Sequence, residues 1–373
     1  MVYLKKIGLL VGVVIIMAGY CSPVFALEQT APDTTFEARV TKVILEEQVK
    51  QLDGGFSRQQ NLELVGLDGA YIHKTLEYNG IGQIDAIKKN IYHAGDRVLV
   101  VASSDDVGHI NYYITDYVRT DAIWWLGGIF IAILLLIGGW KGFRSLLSLM
   151  LTFVVMMWYI VPQILDGSDP VIVTTIGSLV ILGAIIYVTE GFKREAHVGV
   201  LAIFISLMIT IGFSYAFINL AKLSGLATEE SSFLLGLGVG EINFQGLLLA
   251  GMIIGALGVL DDVVIAQVAT VKEISAANIN QSRWDVYKRA HAVGIAHISS
   301  MTNTLFLAYA GASLSLLILF SSGQSGFANW HQAINNEMLA TEIVRTLVGS
   351  IGLVLAVPIS TGLALWLIKK EKA

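Results

Sequence analysis

Seven long apolar stretches fill the C-terminal two thirds of this chain: Ala122–Gly139, Ser145–Leu165, Val171–Thr189, Val198–Leu220, Phe244–Val268, Ser299–Phe320 and Val344–Ile368. Each is near the ~20 residues that a helix needs to cross ~30 Å of hydrocarbon. Few folds are open to such a chain, because a backbone in lipid must satisfy its own hydrogen bonds, as a helix does. Composition agrees: 55 % of residues are hydrophobic and 14 % charged, against about a quarter charged in a soluble domain. The expected fold is an α-helical polytopic membrane protein of about seven transmembrane helices, with membrane lipids as its surroundings.

Basic residues set the expected orientation. Lys141 and Arg144, Lys193 and Arg194, the Lys272–Arg289 linker, and Lys369, Lys370 and Lys372 fall at alternate ends of the spans, which marks the cytoplasmic side. The opposite segments Asp166–Asp169 and Ala227–Ser232 are acidic or neutral. Trp124, Trp125, Trp140, Trp158 and Trp366 lie near span ends, where aromatic belts form. At the N-terminus, Lys5 and Lys6 precede the apolar run Ile7–Gly19, and Val24-Phe25-Ala26 offers a cleavage site. Residues 1–26 are either a signal peptide or an uncleaved anchor, and both deliver the segment after Ala26 outside. The expected location is the cell membrane, with the N-terminal domain outside and the C-terminus in the cytoplasm. Cys21 is the single cysteine, so there is no intrachain disulfide or thiolate metal site. Tyr20 before it is too large for a lipidation signal.

Residues 27–121 read differently. Phe36-Ala38-Val40, Val98-Val100 and Asn111–Val118 alternate as strands do, and Asp53-Gly54-Gly55, Asp68-Gly69, Asn79-Gly80 and Gly95-Asp96 supply turns. About five strands in this length suggest a small closed β-barrel, OB-like, because closure removes exposed edges. Lys88–His93 reads as a solvated loop. No catalytic triad, metal cage or basic-aromatic face for nucleic acid is visible. Two further stretches are too short to span: Ser231–Glu241 and the amphipathic Phe327–Glu337.

Ionisable groups inside a span need a partner, a watery cavity or a function. At 100° per residue, Gly251, Gly255, Gly258 and Asp262 share one stripe, and Asp261 points about a quarter turn away. The expectation is that this stripe faces protein, which makes Asp262 the preferred ion or substrate residue, with Asp261 beside it. Asn303 and Thr304 lie at a similar depth in the next span, with His297 just outside and Glu190 closing the third. A second polar cluster falls near the outer face: Glu241, Asn243 and Gln245, with Glu342 and Arg345 three residues apart, a spacing that allows an ion pair. That pair is a structural contact or a gate. The glycines also suggest close approach between subunits, hence a homo-oligomer.

Three runs carry a family resemblance. They are Gly255-Ala-Leu-Gly-Val-Leu-Asp-Asp-Val263, the stretch His297–Leu314 around Asn303-Thr304, and Glu342-Ile-Val-Arg345 continuing to Gly352 and Ala356-Val-Pro358. In this order, on successive spans, they resemble the YibE/F family of bacterial multi-pass membrane proteins over about Ala122–Ile368. Ser315 departs from the proline expected in the family's apolar run, which bears on a helix kink there. The resemblance implies an integral membrane protein of a kind described as transporters. It supplies no substrate.

The function expected is ion-coupled secondary transport or export of an unidentified small molecule or peptide, driven by H⁺ or Na⁺ and using no other cofactor. No Gly-rich loop ending in Lys-Ser/Thr is present, so the chain lacks that ATP-hydrolysing motif. The alternative is a membrane scaffold or envelope-assembly factor whose exported barrel binds a partner. An enzyme is not expected, since an intramembrane aspartyl protease needs aspartates from two helices and Asp261 and Asp262 are neighbours.

Overall fold

The computed structural model describes residues 34–50, 56–82, 91–104, 110–238, 242–278, 280–322 and 329–367. The expected leader at 1–26, the turn Asp53-Gly54-Gly55 and Glu241 lie outside them. The described residues divide into two compact units, one ending at Leu136 and one beginning at Ile137.

The first unit is an antiparallel sheet of β1 (Thr34–Lys50), β2 (Phe56–Gly66), β3 (Thr75–Asn79), β4 (Arg97–Ser104) and β5 (Ile110–Tyr117), ordered β3-β2-β1-β4-β5. Alternation decides which face is inside. Phe36, Ala38 and Val40 of β1 are buried, as are Leu62 and Leu64 of β2 and Val98, Val100 and Ala102 of β4. Gly69 and Gly95 adopt positive φ of 59° and 102° in the predicted turns, a conformation that glycine reaches without a Cβ penalty.

The expected closed barrel is not formed. Edge strands β3 and β5 approach within 8 Å between Cα atoms, yet no backbone ladder joins them among the described residues. β3 has only five residues, and a bulge opposite Leu99 and Val100 shifts the register of β5, which leaves little straight edge to pair. Side chains close the gap instead. Phe36 stacks on Tyr71 at 4.3 Å, and Tyr112 of β5 meets Tyr71 edge-on at 6.0 Å. Buried Gln60 mimics a ladder rung, accepting from the Tyr92 N–H at 2.8 Å and donating to the Tyr92 carbonyl at 3.2 Å.

The second unit is helical, and the part of its first helix before Ile137 is counted with the first unit. Helix α1 (Thr120–Val155) is interrupted at Gly139, whose φ 52° and ψ −132° are non-helical, and continues through a π-helical turn, Met156–Ile160, into α2 (Val161–Leu165). Then come α3 (Pro170–Thr189), α4 (Arg194–Leu220), the short α5 (Glu229–Gly236), α6 (Phe244–Ala277), α7 (Arg283–Ala312), α8 (Leu314–Ser321), α9 (Trp330–Ile334) and α10 (Glu337–Leu367). Among the described residues, five helical runs are long and apolar enough to cross a membrane, or six if α7 and α8, bent by 66°, count as one.

The expected seven differ because Ala122–Gly139 and Ser145–Leu165 run together over 46 residues. Only the Gly139 break separates them, so helical hydrogen bonding resumes at once. The bend between α7 and α8 falls at Ser313, with Ser315 rather than proline beside it, so the kink does not depend on a proline. α10, in contrast, continues through Pro358. Its neighbours Ser360 and Thr361 turn their hydroxyls back onto the Val357 carbonyl.

α6 is the hub, packing against α3, α4, α7 and α10. Leu249, Ile253, Leu257, Leu260, Val264 and Val268 are all buried along it. α4 and α10 approach backbone to side chain: a Cβ on Gly352 would lie 2.1 Å from the Thr210 hydroxyl.

Candidate functional site

Asp261 and Asp262 are consecutive on α6, and the packing separates them. Asp261 is only 9 % exposed, set among Leu260, Val263 and Val264, all at 1 % or less. One of its carboxylate oxygens accepts the Asp262 backbone N–H at 2.9 Å. Asp262 is exposed. Gly251 and Gly258 of the glycine stripe are not packed within the chain: a Cβ on either would meet nothing within 4 Å. Gly255 is the close-packed one of the three: a Cβ on it would lie 2.9 Å from the Tyr309 hydroxyl of α7. Asn303 and Thr304 are exposed too, and Thr304 donates to the Ser300 carbonyl at 3.1 Å.

Helical spacing connects Asp261 to a cavity. Ile265, Val268 and Lys272 come four, seven and eleven residues after it and so lie on its face of the helix. They line a cavity of about 160 Å³ with Glu190, Lys193, Glu195 and Glu273. Lys272 pairs with Glu195 at 2.7 Å.

A second recess, about 290 Å³, opens at the other end of the same three helices, lined by Asp169, Tyr215, Asn219, Asn243 and Gln245. Here two helix starts are capped by side chains. Asp169 accepts from the Val171 and Ile172 N–H groups, and Asn243 accepts from the Gly246 N–H at 3.0 Å. Gln245 donates to the Leu223 carbonyl at 3.1 Å. Among the described residues, the buried hydroxyls of Thr174 and Ser178 on α3 and Ser214 on α4 have no hydrogen-bond partner.

The outer cluster is not one site. Asn243 and Gln245 sit in that recess, whereas Glu342 and Arg345 pair with each other on α10 at 3.1 Å. Tyr309 is within electrostatic reach of both charges. Glu190 lines the first cavity, and His297 is half-buried on α7.

Sequence reasoning passed over Gln267. It is 2 % exposed and donates to the Ala290 carbonyl of α7 at 2.9 Å and the Thr361 hydroxyl of α10 at 2.8 Å. Gly294 makes room for it, since a Cβ there would stand 2.8 Å from its side-chain oxygen. The signal was available: an amide in the middle of the apolar run Val263–Val271. Among the described residues, no group of three or more His, Cys, Asp or Glu could hold a metal ion.

The three runs that carry the family resemblance fall on α6, α7 with the bend into α8, and α10, and these helices pack against one another. Residues 126–370 match the model of the YibE/F-like protein family. The chain belongs to that family. No curated protein and no solved structure matches it. The YibE/F-like region thus covers the helical unit, and the sheet strands β1 to β5 lie ahead of it.

Proposed function

We propose that this YibE/F-like chain is an ion-coupled secondary transporter and that Asp261 carries the coupling H⁺ or Na⁺. The observation behind this reading is the position of Asp261. It is a buried carboxylate on the hub helix, on the face that runs into one cavity, with a second recess at the opposite end of the same helices. A carboxylate in such surroundings is stabilised by taking up a cation. The unpartnered hydroxyls of Thr174, Ser178 and Ser214 add oxygen donors between the two openings. The basic-residue asymmetry supports a sheet unit outside and the C-terminus inside the cell membrane.

The test uses purified protein in detergent. Wild type and Asp262→Asn should gain thermal stability in Na⁺ over choline, or change it on a pH step, while Asp261→Asn folds and loses that response. An Asp261→Asn protein with the full response would remove Asp261 from the mechanism.

A scaffold reading has one observation of its own. Among the described residues, β1 beyond Val40 pairs with β2 alone, and this two-stranded arm exposes Ile44, Leu45 and Phe56. A two-stranded ribbon is marginal without something to pack on. Deleting the arm should leave the Na⁺ or pH response intact if its role is only to hold a partner.

A further inference from the structure

Where α6 and α7 cross a membrane, an unpaired carboxylate on their outer face is out of place. Asp262 is exposed, and no hydrogen bond or ion pair reaches its carboxylate among the described residues. Its depth is fixed by its own helix. Val268 and Lys272 lie level with Glu190 at the end of α3, and Asp262 is about 9–15 Å inside that level at 1.5 Å per residue. One methylene cannot lift a carboxylate over that distance, so lipid would meet a charge or an unsatisfied acid, which is costly.

The complement lies at nearly the same depth. α6 and α7 touch at Gln267 with Gly294 and at Gly255 with Tyr309, so they run antiparallel. Interpolating between these contacts places Asn303 opposite Leu260, within about half a turn of Asp262. The Asn303 amide is exposed, and it too lacks a hydrogen-bond partner among the described residues. Two copies inserted in the same orientation and related by a two-fold axis along the membrane normal keep every depth unchanged. With its axis beside these helices, such a pair sets the acceptor of one copy at the depth of the donor of the other. Gly251 and Gly258, seven residues apart with open space beyond them, let the two helices approach closely.

We infer that this face of α6 and α7 pairs with the same face of a second copy, the Asp262 carboxylate accepting from the Asn303 amide across the interface. The inference rests on the membrane-spanning reading of these helices and not on ion coupling.

Disulfide trapping in native membranes tests it, in a chain with Cys21→Ser. Gly258→Cys and Gly251→Cys have room for the new side chain, and each should give a band at twice the chain mass on oxidation. Ile172→Cys, 62 % exposed on α3, should give at least tenfold less. Asn303→Ala should lower the Gly258→Cys dimer yield several-fold. Monomer bands from both glycine variants, yields equal to the Ile172→Cys control, or cross-linking only to a protein of another mass would each overturn the proposal. An Asp261-dependent ion response persisting in a monomer would sink the pairing alone.

Discussion

The two units solve burial by different rules. In the sheet, one residue in two is inside, so Leu62 and Leu64 are buried while Glu63 between them stays at the surface, where it accepts from Thr41. In the helical unit apolar residues cover every side, because the outer surface is as apolar as the core. Leu260 is buried and Leu307 is 59 % exposed, and nothing in their local hydropathy tells them apart. The comparison teaches that a hydrophobic pattern reports facing direction only where the outside is water.

The largest expected effect sharpens the sheet half of that contrast. Leu62→Ala should cost about 2–5 kcal/mol, as a fully buried leucine does. Glu63→Ala should stay within about 0.5 kcal/mol. Thermal or denaturant unfolding of the whole protein, tracked by a probe in the sheet, would measure both. Equal effects would show that alternation does not set the faces.

In the helical half, glycines of identical local appearance should behave differently. Gly352→Ala drives a methyl into Thr210 and should cost about 1–3 kcal/mol as overpacking. Gly362→Ala, with nothing within 4 Å, should be neutral or slightly stabilising. Size-exclusion recovery after stepwise heating in detergent would rank them, and a tolerated Gly352→Ala would mean the α4–α10 contact is looser than the geometry implies.

Gln267→Ala removes the donor shared by α6, α7 and α10 and should cost about 1–3 kcal/mol by stranding buried acceptors, a loss read by the same heating series. The Glu342–Arg345 pair, about a quarter exposed at both side chains, should show coupling of roughly 1 kcal/mol in a double-mutant cycle of Glu342→Gln and Arg345→Gln. Strictly additive losses would break the pair.

The smallest effect returns to the sheet unit. Arg97 bonds both Glu37 and Asp121, but the site is open to water. Arg97→Gln should therefore change stability by about 1 kcal/mol or less, and raised salt should shrink even that.

The strands around Phe36, Val98 and Ile114, the turns at Gly69 and Gly95, and the helical character of the apolar C-terminal part were legible in the sequence, because local period and turn chemistry report them directly. So was the Glu342–Arg345 contact, which lies within one helical turn. Seven separate spans were not obtained, since whether a helix restarts after Gly139 depends on backbone angles that composition does not carry. Barrel closure failed for a related reason: it needs two distant strands to meet in register, and alternation within each strand says nothing about that.

What the sequence determined by itself is therefore the set of local choices. These are where the backbone is helix or strand, which segments are apolar enough for lipid, and which polar residues stand in apolar surroundings. Tertiary structure alone decided where those polar residues point. Asp261 and Asp262 have the same chemistry and adjacent positions, separated by one 100° step around α6. That step turns the first toward Leu260, Val264 and the cavity face, and carries the second out to the surface with Gly258. The choice between them was made by the neighbours that α3, α4, α7 and α10 bring to α6. No property of a single helix contains that information.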